Sequence, residues 1–174
     1  DPHLILLPCL RNPEELTLRS YDRRNPRMLA AGHFGMDSLT EVQSPRRLVS
    51  RDLSIIVPIY NEEESIPHLC ARLFASLDVL NKTFEIICVD DGSTDSSLQE
   101  LKKISCLRKE LKIVAFRRNS GQTAAMMAGI DHSRGDIIVT IDADLQNDPD
   151  DIAALLTKID EGFDVVSGWR KDRR

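Results

Sequence analysis

Beyond residue 52 the apolar positions alternate between two periods. "LSIIVPIY" at 53–60 is a short, isoleucine-rich run bounded by polar residues, as expected of a strand covered on both faces. Ile66, Leu69, Cys70, Leu73, Phe74, Leu77 and Leu80 then recur at helical spacing and predict one apolar stripe. "FEIICVD" at 84–90 predicts a second strand, and "STDSSLQELKKI" a capped helix with Leu98, Leu101 and Ile104 inward. "KIVAFRR" at 112–118 predicts a third strand, and "GQTAAMMAGIDHS" a helix of small residues able to press close to a sheet. "DIIVTID", "PDDIAALLTKIDEG" and "FDVVSGW" predict a fourth strand, a helix and a fifth strand.

Strand and helix alternating with short connections give an open, mostly parallel sheet with helices on both faces, a Rossmann-like α/β domain over residues 52–174. Residues 1–51 hold five of the eight prolines, scattered arginines and no sustained period, and read as a poorly ordered N-terminal extension. The chain opens on Asp1 and stops on "WRKDRR" straight after a strand-like run, so the domain reads as truncated at its C-terminal side.

Composition changes this picture little: 174 residues, 41% apolar and 29% charged, suit one domain and a tail. Charge says more. From residue 52 onward 15 basic residues face 22 acidic ones, and no aromatic and basic stripe appears, which argues against nucleic-acid binding. The cysteines at 9, 70, 88 and 106 lack zinc spacing or disulfide density, and fit a reducing, cytosolic setting. "LILL" at 4–7 is too short to span a bilayer, so neither a signal peptide nor a membrane helix is predicted.

In such sheets ligands bind beyond the carboxyl ends of the strands. Those ends are polar here: "PIYNEEE", "VDDGSTD", "RRNSGQ" and "IDADLQND". If the fourth strand stays extended past Ile141, Asp142 and Asp144 project to one side. Two carboxylates in one small volume repel unless a cation lies between them, and oxygen-only ligands suit Mg²⁺ or Mn²⁺, with Gln146 adding an amide oxygen. Solvated turn acids are the alternative for this D-x-D. Asp148 before Pro149 reads as a helix cap, with Asp150 and Asp151 at the positive end of that helix. Ser93, Thr94 and Asp95 read as capping residues, whereas Asp90 and Asp91 can accept hydrogen bonds from a ribose or a base. Tyr60 can stack on a base, and Glu63 and Glu64 suit a first helical turn. Cys88, Met126 and Met127 read as packing residues, and no histidine has useful partners. No G-x-G-x-x-G or P-loop motif is present, which disfavours dehydrogenases and P-loop enzymes.

"SIIVPIYNEEESI", "EIICVDDGSTDSS", "RNSGQTAAMMAGI" and "GDIIVTIDADLQNDPDDI" together resemble the nucleotide-sugar half of a family 2 glycosyltransferase of GT-A fold. "DADLQ" and "GFDVV" resemble its polyprenyl-phosphate branch, the enzymes similar to dolichyl-phosphate mannosyltransferase. The resemblance implies a metal-dependent, inverting transferase moving a sugar from a UDP- or GDP-sugar to a polyprenyl phosphate at the cytoplasmic face of a membrane. Membrane attachment would come from segments beyond residue 174, the described fragment itself being soluble. It further implies that Pro58, Tyr60, Asn61, Glu62, Asp90, Asp91 and Arg118 line the nucleoside pocket, and that Asp142, Asp144 and Gln146 hold the metal, the two aspartates being catalytic. Trp169, Arg170, Lys171, Arg173 and Arg174 are either the start of an acceptor side or a charged turn. Two alternatives stand beside this: a family 2 enzyme acting on a polysaccharide or other hydroxyl acceptor, and an inert nucleotide-binding module.

Overall fold

The apolar run at residues 53–59 becomes the centre of the sheet because every one of its side chains is buried, with Leu53, Ile55, Ile56 and Val57 fully so. A computed structural model describes the backbone of residues 5–8 and 51–168, with side chains from 52 to 168. Of the extension read over 1–51, only the backbone of 5–8 and of Arg51 is therefore described, and both are strand; Trp169 and the basic residues after it lie outside the described residues. The elements run β1 (Ile5–Pro8), β2 (Arg51–Ile59), α1 (Ser65–Asp78), β3 (Phe84–Asp90), α2 (Ser97–Leu107), β4 (Leu111–Ala115), α3 (Gln122–His132), β5 (Gly135–Thr140), α4 (Asp151–Asp160) and β6 (Val166–Ser167).

The sheet order is β4-β3-β2-β5-β1-β6. β2 pairs in parallel with β3 and β5, and β3 with β4, while β1 is antiparallel to β5 and β6. The mostly parallel α/β sheet with helices on both faces is thus the architecture expected. The fourth predicted strand ends at Thr140, short of the aspartates, and the fifth shrinks to two residues.

The two faces are packed differently. Leu53, Ile55, Val57, Ile86, Cys88 and Val139 meet Leu69, Leu73 and Leu77 of α1, Leu101 of α2, and Ile152, Leu155 and Leu156 of α4 in the main core. Ile87 and Val89 face α3 through Ala125 in a smaller cluster. The small residues of α3 are explained by proximity: a Cβ on Gly129 would stand 2.4 Å from Ile56 Cγ2 and 3.3 Å from Val89 Cγ2. Met127, expected in packing, is 52% exposed on the far side of that helix.

Magnitudes say what docks α4. Its ion-pair link, Arg72 to Asp148, joins side chains 44% and 50% exposed, a setting worth under about 1 kcal/mol. Burying Ile152 and Leu156 contributes about 2 kcal/mol each, so the apolar stripe decides. The helix starts later than the predicted cap at Asp148 implies, at Asp151 with Asp150 as its N-cap; Asp148 accepts the Asp150 N–H at 3.0 Å in the turn that leads into it.

A buried polar knot ties the amino-terminal edge of the sheet. Glu85 is 1% exposed. Its carboxylate accepts the Ser54 hydroxyl at 2.7 Å and the Arg134 N–H at 2.7 Å, and pairs with Lys112. Ser54 Oγ in turn accepts the Gly135 N–H at 2.8 Å. Burial pushes the Glu85 carboxyl up, but the bonds from Lys112, Ser54 and Arg134, with the lysine charge, outweigh it and hold it below the usual range. A carboxyl held lower in the folded than in the unfolded chain stabilises the fold above the ordinary Glu value, and loses that contribution as pH falls through the folded value. Glu85→Gln is therefore expected to cost about 2 kcal/mol at pH 7. The gap from the parent should close progressively below about pH 4.3; urea unfolding of both chains at several pH values checks the convergence.

Candidate functional site

The chain passes from β2 to β3 to β4 on one side, then crosses to place β5 on the other side of β2, so the order reverses between β2 and β5. Ligands of open α/β sheets gather at such a reversal. The registered β2–β5 pairing stops at Ile56↔Thr140, with one further bond from Ile141 N to Ile56 O at 3.0 Å, whereas β2–β3 pairing continues to Ile59↔Asp90. The strands part there. Pro58 sits on that side by the two-residue period, beyond the last pair, so its missing N–H costs no ladder bond.

The resulting cleft is a cavity of about 510 Å³. Pro58 and Ile59 at the end of β2, Tyr60 and Glu62 just after it, and Asp91 just after β3 form one wall. Asn119, Gly121, Gln122 and Ala125 come from the start of α3, and Asp142, Ala143, Asp144 and Gln146 from the turn after β5. Seven of the sequence-predicted site residues thus meet in one space: Pro58, Tyr60, Glu62, Asp91, Asp142, Asp144 and Gln146. Asn61, Asp90 and Arg118 are not among its lining residues.

What those three do is visible nearby. Asn61, at φ 57°, turns the chain after β2, and its side-chain oxygen accepts the Thr94 N–H at 2.8 Å. Asp90 is 2% exposed and accepts the Ser93 N–H at 3.2 Å, closing the turn after β3. Arg118 is exposed, and its carbonyl carbon would stand 2.4 Å from a Cβ on Gly92, which at φ 71° turns that loop.

The β2–α1 and β3–α2 loops are laced together. Glu62 N–H donates to the buried Ser97 hydroxyl at 2.8 Å, and Glu63 N–H to Asp95 Oδ2 at 3.2 Å. Ser96 N–H returns a bond to Glu63 Oε2 at 2.7 Å. Glu63 therefore bridges loops instead of serving the first turn of α1, which holds no acid. Asp95, one residue before the N-cap Ser96, accepts the Ser97 N–H at 2.9 Å at the entry to α2. Burial pushes the Asp95 carboxyl up, but the Ser97 hydroxyl and the N–H groups of Ser97 and Glu63 outweigh it and hold it below the usual range. Glu62 Oε2 accepts the Ser65 hydroxyl at 2.7 Å.

On the opposite wall Asp142 and Asp144 face the cavity from a turn, not through strand alternation. Leu145 lies at φ 61°, a left-handed conformation costing roughly 1–2 kcal/mol for a branched residue. Packing of its side chain on the core and the Gln146 N–H bond to Asp144 Oδ1 at 3.0 Å offset that strain. Gln122 Nε2 donates to Asp142 Oδ1 at 2.8 Å. Asp91, 2% exposed, accepts the Ser120 N–H at 2.7 Å on one oxygen and the Gly121 N–H at 2.8 Å on the other. Sequence reasoning had not singled out Asn119, Gly121 or Gln122; "RRNSGQ" at a strand end was the signal for them.

A divalent cation is compatible with this wall: two carboxylates and an amide border one space, an all-oxygen donor set. No group of three or more His, Cys, Asp or Glu is arranged to hold a metal among the described residues, so any coordination here draws on further oxygens beside the two carboxylates and the amide.

With the geometry in hand, known proteins can be compared. The profile of the family described as Glycosyl transferase family 2 matches residues 54–174. Relatives from Salmonella paratyphi A and Salmonella choleraesuis, each named undecaprenyl-phosphate 4-deoxy-4-formamido-L-arabinose transferase, are 46% and 45% identical over 125 residues. That covers 71% of this chain and 38% of the length of those relatives. Among solved structures, residues 1–349 of S. aureus TarS in complex with UDP share 29% identity at TM-score 0.51, over 63% of this chain and 32% of that one. The Pyrobaculum calidifontis mannosyltransferase PcManGT, in complex with GDP-Man and Mn²⁺, is alike in fold at TM-score 0.53 and 22% identity, over 66% of this chain and 35% of that one. The fold is that of the GT-A glycosyltransferases.

Asp91→Asn would set an amide N–H₂ against one of two backbone N–H donors. The expected loss is about 1–3 kcal/mol of stability, with faster hydrogen exchange at Ser120 and Gly121; unchanged exchange there would contradict the clamp.

Proposed function

The chain belongs to glycosyl transferase family 2, and from that premise we propose that it is the donor-binding part of a metal-dependent, inverting enzyme. The sugar moves from a UDP- or GDP-linked donor to a polyprenyl phosphate. One observation carries the donor side. The cavity at the strand-order reversal is lined by four carboxylates, Glu62, Asp91, Asp142 and Asp144, with no lysine or arginine among its described lining residues. A phosphate oxygen about 4 Å from one carboxylate is repelled by roughly 4 kcal/mol at an effective dielectric near 20. A diphosphate fits such a wall only with a cation, which Asp142, Asp144 and Gln146 would hold.

The bound cation supplies Lewis-acid neutralisation of the charge that gathers on the departing diphosphate. The chain's own residues do the rest. Tyr60, 45% exposed at the end of β2, offers a ring to a nucleobase. Each Asp91 oxygen carries one backbone N–H and keeps a second lone pair for a base or ribose donor. Glu62, fixed by Ser97 and Ser65, closes the same wall.

The acceptor is inferred from the relatives, whose name specifies undecaprenyl phosphate. Its chemistry suits a site with no assigned base. A phosphate oxygen is already anionic near neutral pH and attacks the anomeric carbon without losing a proton. The new C–O bond forms opposite the breaking bond to the diphosphate, whose oxygen leaves with the electron pair, so the configuration inverts. No described helix is long and apolar enough to cross a membrane; the lipid encounter, at the cytoplasmic face, belongs to the whole enzyme.

Calorimetry of the chain with UDP and GDP, with and without Mn²⁺, tests the donor side. Binding is expected to tighten with Mn²⁺, and Asp142→Asn and Asp144→Asn should each weaken the cation-dependent part by ~100-fold, about 2.7 kcal/mol. Absence of binding to both nucleotides in the presence of Mn²⁺ would overturn the reading.

A further inference from the structure

We propose that Gln122 is a positioning residue: its side-chain amide holds the Asp142 carboxylate in the orientation that binds the cation, and Asp91 sets Gln122 in place from across the cleft. This rests on the donor-binding reading above. The contact itself is Gln122 Nε2 to Asp142 Oδ1 at 2.8 Å, between residues 20 apart in sequence and on different elements.

The two ends of this contact are supported unequally. Asp142 follows the last ladder bond of β5, Ile141 N to Ile56 O, and stands in a turn that includes the left-handed Leu145. Strand pairing therefore does not set the direction of the Asp142 side chain, and the Gln122 amide is one of the contacts that does. Gln122, although exposed, starts from a rigid base. It is the first residue of α3, directly after Gly121 at φ 94°. Both carboxylate oxygens of Asp91 are engaged by the N–H groups of Ser120 and Gly121, which fixes the entry to the helix. Seven residues further on, α3 lies so close to the sheet that a Cβ on Gly129 would stand 2.4 Å from Ile56 Cγ2.

The chemistry of an amide suits this position. A neutral donor orients a carboxylate and leaves its charge in place for a cation, whereas lysine or arginine would neutralise that charge. Partners that orient metal ligands in this way typically change metal affinity 10–100-fold when removed.

Gln122→Met keeps the side-chain length and deletes the donor, and Gln122→Ala deletes the side chain. The probe is Mn²⁺, titrated into each chain at saturating UDP or GDP with free Mn²⁺ read by electron paramagnetic resonance. Nucleotide affinity without metal and the melting temperature are measured alongside. Both variants should weaken Mn²⁺ about tenfold, a larger loss than any in metal-free nucleotide affinity, with the melting temperature unchanged. Parent-like Mn²⁺ affinity in either variant would overturn the proposal. So would a loss matched by equal losses in metal-free nucleotide affinity and melting temperature, which marks a merely structural side chain. A parent chain that binds neither nucleotide with Mn²⁺ fails the donor-binding reading itself and removes this inference with it, so the two failures are told apart by the parent.

Discussion

The parting of β2 and β5 after Ile56↔Thr140 is the constraint on which the rest of the site depends. A parallel sheet satisfies its backbone groups only while strands stay paired. Here β2 and β3 run on together to Ile59↔Asp90 while the chain after β5 turns away. That divergence opens the cavity, removes any need for an N–H at Pro58, and exposes the backbone of the turn at 142–146 to side-chain capping. Asp144 supplies one such cap, to the Gln146 N–H. The polar strand ends are thus a consequence of where pairing stops as much as a requirement of chemistry.

The crowded carboxylates divide by the partners they meet. Asp148 holds the turn before α4, Glu63 and Asp95 stitch two loops together, and Asp90 closes a turn. Each of those bonds contributes on the order of 1 kcal/mol, enough in sum to hold the β2–α1 and β3–α2 loops in one arrangement. What remains toward the cavity is Glu62, Asp91, Asp142 and Asp144. Rigidity from the first set gives Glu62 and Asp91, which follow β2 and β3 on those two loops, a defined geometry.

Much of the fold was legible because buried parallel strands write themselves as continuous apolar runs, and α1 and α4 write their stripes at helical spacing. The small-residue helix was legible for the same reason: it follows a local rule, satisfied by the absence of side chains. Illegible features are long-range. Glu63 looks like any first-turn acid until Ser96, 33 residues away, is placed beside it. Asp90 and Asp91 are indistinguishable as neighbours in sequence, yet one closes its own turn and the other reaches the start of α3. Met127 shares the apolar character of Met126, but the roughly 100° between consecutive helical positions leaves it half exposed. Cys70 and Cys88, eighteen positions apart and apparently solitary, come together in the main core: a hydrogen bond between the thiols pushes Cys88 up, with burial and the Cys70 charge, and lowers Cys70.

Asp91 shows why the two halves of the cavity need not be independent. One carboxylate at the end of β3 anchors the turn into α3 through two backbone N–H groups, and that turn carries the amide that meets Asp142 beyond β5. The same carboxylate lines the cavity proposed to take the donor. A ligand that draws on the remaining lone pairs of Asp91 shares an acceptor with the bonds that fix Gln122, so its binding free energy cannot be separated from the stiffness of the opposite wall. A reciprocal coupling of this kind is a property of the pair of sites. It requires no movement of the sheet, whose edge at Glu85 is held at the other end by its own buried knot.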